Sequence, residues 1–326
     1  MTKPNFFIYP YTQHSAGSIL LAEELDGKRV KLQNSSYTHT PDKVLINWGN
    51  GNCPHPAALN PASAINEVIN KVSFFKKLTA TGLTPQAAYT KMDAVNLSFP
   101  VVCRTLTEGN DGEGIVIADK PSQLVPAKLY TKYIDKTSEY RIHMGRNQQG
   151  EIVVICRQKK FLTPEFTGDK RIWTGNQTKL AYIETAVEPV IAVAKNTFAL
   201  FPGLTFGAFD IVYNNSTEEA YVLEINSAPM MNADTTKAYG DFFRTFQVNT
   251  PAVKTAGTPA TAPQETKTVQ TPPTTSPTPH TALYGFVKAQ MDAGHITEQE
   301  LLSTYTPTQP TTEELIENYV NKITAA

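Results

Sequence analysis

The chain is poor in cysteine, with Cys53, Cys103 and Cys156 as its three thiols in 326 residues. No two of them form a CxxC pair, which excludes a disulfide framework and a thiolate zinc site and fits a reducing compartment. An excess of one charge is also lacking: 29 Lys and Arg stand against 30 Asp and Glu, a net charge of −1. That balance excludes binding by charge alone to a nucleic-acid backbone, and no nucleic-acid partner is expected. No stretch of 18 apolar residues occurs, so no membrane-spanning helix is expected. The opening MTKPNFFIYPYTQHSAG has no continuous apolar core of the signal-peptide kind. A soluble, cytoplasmic protein is the expectation. What the chain does have is 40% hydrophobic and 10% aromatic residues, enough to bury a sizeable core.

Composition changes near residue 247. Between Pro251 and His280, 7 of 30 residues are Pro and 9 are Thr, with few large apolar side chains. Such a segment buries too little surface to offset its ordering entropy and is predicted to be an extended linker, 248–281. Residues 282–326 carry apolar side chains at helical spacing, such as Leu283, Phe286 and Val287, then Leu315, Ile316 and Tyr319. This short helical tail is expected to dock on a partner, on a second copy or on the body.

The body alternates strand and helix patterns. Lys43 to Gly49 reads as a buried strand ending in the turn Asn47-Trp48-Gly49-Asn50-Gly51, either a ligand-facing strand end or a tight turn over a core tryptophan. Ile65, Val68, Ile69, Val72, Phe75 and Leu78 make one apolar stripe, predicting a helix over 61–81. Strands are predicted at Phe99–Leu106, Gly114–Ala118, Leu129–Ile134, Tyr140–Met144, Ile152–Cys156, Phe206–Tyr213 and Ala220–Asn226, with a long helix over 180–200. The fold class is α+β.

The last two strands carry the strongest chemical signal. If FGAFDIVY and AYVLEIN form a hairpin with its tip at Thr217, residues whose numbers sum to 434 face each other. Asp210 then lies opposite Glu224, with Asn226 two residues along on the same face. The other face, including Tyr221, Leu223 and Ile225, would be core. Opposed carboxylates repel, and in such apolar strands a divalent cation is the economical compensation. Two acids and an amide offer oxygen only, which suits Mg²⁺ or Mn²⁺. Asp210, Glu224 and Asn226 are the candidate metal ligands.

The segment Asp210…Glu224-Ile225-Asn226-Ser227-Ala228-Pro229 resembles the metal signature of ATP-grasp enzymes, and the order of motifs upstream is similar too. Asn70-Lys71 and the following helix, Phe99 to Arg104, the loop Thr107-Glu108-Gly109-Asn110-Asp111-Gly112-Glu113-Gly114, and Leu129 to Ile134 followed by Glu139-Tyr140-Arg141 resemble its nucleotide-binding elements. The likeness spans roughly residues 65–232. It implies an ATP-grasp domain at 61–247, two α+β subdomains clasping ATP, preceded by a small α/β domain at 1–60.

Residue roles follow from the same likeness. Arg104 stands where the family usually has Lys, and one of Lys71, Lys76 and Lys77 faces the nucleotide, with Lys71 chosen. Gly109, Gly112 and Gly114 cover the triphosphate; Lys132, Tyr133 and Ile134 form the adenine hinge; Glu139 holds the ribose. The alanine-ligase branch has Arg where this chain has Ala208, so upstream cations are expected to serve: Arg141 and Arg157 in catalysis and Lys159 on phosphate, with Lys160 and Arg171 as further candidates. The implied activity is ATP-driven ligation of a small-molecule or peptide carboxylate to an amine through an acyl phosphate. A kinase on the same site and a non-catalytic nucleotide-binding scaffold are the alternatives.

Overall fold

A computed structural model describes residues 5–107, 113–173 and 178–246. Contacts divide the chain into two compact units, Met1–Val253 and Lys254–Ala326. The expected linker and helical tail lie outside the described residues, as do Gly109 and Gly112. No helix among the described residues is long and apolar enough to cross a membrane.

The first unit begins with a three-stranded parallel sheet of order β2-β1-β3, made of β1 (Asn5–Pro10), β2 (Lys28–Arg29) and β3 (Lys43–Trp48). Five of the six residues of β3 are buried, the near-continuous burial of a strand covered on both faces. α1 (Ala16–Glu24) crosses over, its N-terminus capped by Ser15, whose hydroxyl accepts from the Ser18 N–H. Trp48 is fully buried, so the turn after β3 is the tight turn over a core tryptophan. Asn47 closes it by exchanging hydrogen bonds with the Asn50 backbone. Gly49 has φ +79°, and a Cβ there would lie 2.5 Å from that of Ala228, so the turn presses on the chain just after Asn226.

The stripe predicted as one helix is two, α2 (Ala62–Ile69) and α3 (Lys71–Leu78). Asn70 between them is extended (φ −89°, ψ 110°), and its side chain accepts from the Ser73 N–H. Asn competes with helix continuation by offering this cap. Ile65, Val68, Phe75 and Leu78 reach the core as expected, but Ile69, at the break, is half exposed.

A four-stranded antiparallel sheet of order β4-β7-β5-β6 follows: β4 (Ala87–Ala88), β5 (Val101–Arg104), β6 (Ile115–Ala118) and β7 (Leu129–Lys132). A five-stranded antiparallel sheet completes the unit in the order β10-β9-β8-β11-β12. Its strands are β8 (Ser138–Arg146), β9 (Ile152–Leu162), β10 (Thr178–Tyr182), β11 (Phe206–Asn214) and β12 (Glu219–Asn226). The long helix expected over 180–200 is corrected. TKLAY, half apolar and half polar, pairs as an edge strand on β9, and only Glu188–Ala199 is helical (α5).

One core packs α2, α3 and α5 on one face of the five-stranded sheet through Phe74, Phe75, Val190, Phe198, Phe209 and Ile211. A second joins the N-terminal sheet to α6 (Ala233–Arg244), around Trp48, Phe206, Tyr239 and Phe243. The sequence reading had not anticipated α6, which starts at a reciprocal cap between Asn232 and Thr235.

Candidate functional site

β8, β11 and β12 lie side by side with Arg141, Asp210 and Glu224 in one row across the sheet. Paired residues share a face, so all three side chains point the same way. Arg141 donates from Nε and Nη2 to the two Asp210 carboxylate oxygens, at 2.6 and 2.8 Å. Lys71, the first residue of α3, lies 2.8 Å from Glu224 Oε2. Asn226 donates to Glu224 Oε1 at 3.5 Å. Each opposed acid thus faces a cation of the chain itself. Burial opposes the charge on Arg141, but the Asp210 carboxylate outweighs it and raises the guanidinium's pKa. Burial likewise raises Asp210, and Arg141 outweighs it to hold the carboxyl below its ordinary value.

The expected pairing holds from Asp210/Glu224 through Ala208/Asn226 and fails toward the hairpin tip. A bulge shifts the register by one, so Ile211 faces Val222 and Tyr213 faces Ala220. Val222 is therefore the fully buried residue, while Leu223, expected in the core, turns into the cleft. Ala-Tyr-Val-Leu is four apolar residues in a row and carries no alternation from which the bulge could be read.

The cleft, a cavity of about 160 Å³, lies between this row and the β4–β7 sheet. Arg104 enters it from β5. Its Nε is buried with no hydrogen-bond partner among the described residues. Burial lowers its pKa, against the pull of Glu224 and Glu139. Val102, Ile115, Ile117, Val212 and Leu223 supply apolar walls. Lys132, the last residue of β7, and the following Tyr133 and Ile134 edge the cleft. Their segment is fixed by bonds from Lys132 N–H to Gln86 O and from Tyr133 N–H to Pro100 O, both 2.9 Å.

Glu139 faces the cleft between Lys136 at 2.6 Å and Lys160 at 3.2 Å. Burial depresses the Lys136 pKa, and Glu139 works against that. Gly114, at the foot of the β5–β6 connection, has φ +71°, and a Cβ there would lie 2.8 Å from Leu106 Cγ. Turn closure alone therefore demands glycine at 114.

Of the three candidate helix lysines, Lys71 alone lines the cleft. Lys76 lies over the Tyr89 ring, and Lys77 over Phe201 while pairing with Glu67. Two expected residues are not brought to the site. Arg157 pairs with Ile142 and Lys159 with Tyr140, on the face opposite Arg141 and Asp210. The Lys159 ammonium lies 5.5 Å from the Tyr140 ring centre. Strand parity instead turns Lys160 to the cleft, and Arg171 reaches it from the following loop. Lys136 and Leu223 are cleft residues that the sequence reading missed.

Two sheets with this order, facing one another across a cation-lined cleft behind a small parallel α/β unit, make up the ATP-grasp fold. Solved structures of that fold superpose on the chain. The D-alanine–D-alanine ligase of Bacillus anthracis gives a TM-score of 0.52 at 14% identity, over 74% of this chain and 97% of that one. An N5-carboxyaminoimidazole ribonucleotide synthetase in its ADP complex gives 0.52 at 15% identity, over 75% and 77%. The ATP-grasp ligase PsnB, complexed with a minimal precursor, gives 0.51 at 12%, over 74% and 99%. No protein-family model matches the chain, and no curated protein matches it by sequence.

Proposed function

We propose that the chain is an ATP-dependent carboxylate–amine ligase forming an amide through an acyl phosphate, with release of ADP and phosphate. The observation that carries this reading is the row Arg141–Asp210–Glu224 with Lys71, set across the cleft from Arg104, whose buried Nε has no partner among the described residues. A buried guanidinium N–H without a partner is costly, and an anion in the cleft removes that cost. Asp210, Glu224 and Asn226, a hard oxygen set, fit Mg²⁺. Bound there, Mg²⁺ would screen the β- and γ-phosphate charge.

In this reading Lys71 and Arg104 neutralise phosphate oxygens, and Lys160 and Arg141 meet the charge that develops as the carboxylate approaches the γ-phosphorus. Val102, Ile115, Ile117 and Leu223 clamp the base. Lys132, Tyr133 and Ile134 edge it, and Glu139 takes the ribose. Phosphoryl transfer asks the protein for positioning and charge, and no nucleophilic side chain is required.

Mg-ATP at a hundredfold excess over Kd is expected to stabilise the protein by about 2.7 kcal/mol. Hydroxylamine added with ATP and a carboxylate pool is expected to yield hydroxamates together with ADP. Glu224→Gln should abolish Mg²⁺-dependent nucleotide binding, read by calorimetry, and lower turnover by orders of magnitude. No thermal shift at millimolar Mg-ATP overturns the reading, and phosphorylated alcohols in place of hydroxamates would make the protein a kinase.

A further inference from the structure

A second cavity, of about 350 Å³, adjoins the cleft and shares Arg141 and Lys160 with it. Its own lining is Gln158, Leu180, Met230 and Met231 with Thr178, Lys179 and Asn232. Gln158 sits opposite Arg141 on β9 and is only 2% exposed. Its Oε1 lies 3.0 Å from His143 Nε2, and His143 Nδ1 lies 3.1 Å from the Tyr239 hydroxyl. His143 is fully buried, and Tyr239 is packed among the rings of Trp48, Phe206 and Phe243.

The proton direction along this chain follows from the inventory of donors. A neutral imidazole has one N–H and one acceptor nitrogen. Gln158 Oε1 can only accept, so the N–H sits on Nε2 and donates to it, and Nδ1 accepts from the Tyr239 O–H. The amide carbonyl is thereby occupied, and the Gln158 NH₂, with no partner in the described residues, is left for the cavity.

We propose that this cavity binds the substrate carboxylate, and that the Tyr239–His143 pair is a positioning device that holds the Gln158 NH₂ toward it. Gln158, Arg141 and Lys160 present donors to one anionic end, while Leu180, Met230 and Met231 add apolar surface beside Thr178, Lys179 and Asn232. The class selected is a carboxylate whose body is in part apolar, for which a short alkyl carboxylate is the simplest probe. The assignment rests on the ligase reading for its chemistry: a carboxylate oxygen bonds to the γ-phosphorus as the β–γ bridging bond breaks, and ADP leaves with the electron pair. An amine nitrogen then bonds to the acyl carbon, phosphate departs, and the amine gives up a proton.

The probes are hexanoate, hexanamide and hexylamine, titrated calorimetrically into the full-length protein with and without Mg-ATP. Hydroxamate formation from hexanoate and hydroxylamine is followed in parallel. Hexanoate is expected to bind at least tenfold more tightly than the other two. Gln158→Leu and His143→Leu should raise its KM at least tenfold while leaving the Kd of Mg-ATP within twofold. His143→Gln, which keeps a donor toward Gln158, should restore hexanoate binding. Mg-ATP binding without preference for hexanoate overturns the pocket assignment, as does an unchanged KM in Gln158→Leu. Hexanoate binding without Mg-ATP binding overturns the ligase reading instead. Loss of hexanoate binding in His143→Gln as in His143→Leu overturns the positioning role.

Discussion

At Arg104 burial and charge pull against each other. Burial disfavours the guanidinium, while Glu224 and Glu139 favour it. Arg104→Ala is expected to weaken Mg-ATP by roughly tenfold to a hundredfold, the worth of hydrogen bonds to a charged group, without loss of folding stability. Calorimetry and denaturant unfolding on the same variant check both halves. Arg104→Lys should recover only part, because a point charge replaces a planar fork. His143 is shifted the same way. Burial pushes its pKa down to about 4 from 6.5. Between those values the unfolded chain binds a proton that the folded one refuses, so stability falls as pH drops from 6.5 to 4. The loss is of order 3 kcal/mol across that window; it should be absent from the pH–stability curve of His143→Gln and appear whole in the wild-type-minus-variant difference.

At the scale of elements, Asn70 sets where α3 begins and so where Lys71 points. Asn70→Ala removes the cap to Ser73 and should cost about 1 kcal/mol. Mg-ATP affinity should fall with it, because Lys71 is the first residue of the helix. Thermal unfolding and nucleotide titration of the variant test this together. The same helix shows what a sequence can and cannot reveal. Its apolar stripe was legible, but the break was not, because a polar cap on the solvent side leaves a 3.6-residue period intact. The Asp210–Glu224 pairing was legible because apolar residues flank both acids, whereas the bulge lay in a run without alternation. Arg157 and Lys159 share one face of a strand, and Lys160 lies on the other. Composition says that cations are near, and only the register with Glu139 and Arg141 says that Lys160 faces them. The edge strand β10 was misread because its alternation is short and weakly apolar.

At the scale of the molecule, the core around Trp48, Phe206, Tyr239 and Phe243 joins the N-terminal sheet, the first residue of β11 and α6 into one body. That core was not legible as a unit, since its members come from segments nearly two hundred residues apart. The cleft it supports has a consequence for encounter. Among the described residues seven Lys and Arg line it against four Asp and Glu, a local surplus of three positive charges in a chain whose net charge is −1. Low-dielectric walls focus such a field outward, so a polyanion is drawn in faster than diffusion alone would bring it. Stopped-flow association of a fluorescent ATP analogue should therefore slow steeply as ionic strength rises from 0.01 to 0.15 M, where the screening length shrinks from about 30 to about 8 Å. Its dissociation rate should change far less, so that salt acts on how often the nucleotide arrives rather than on how long it stays.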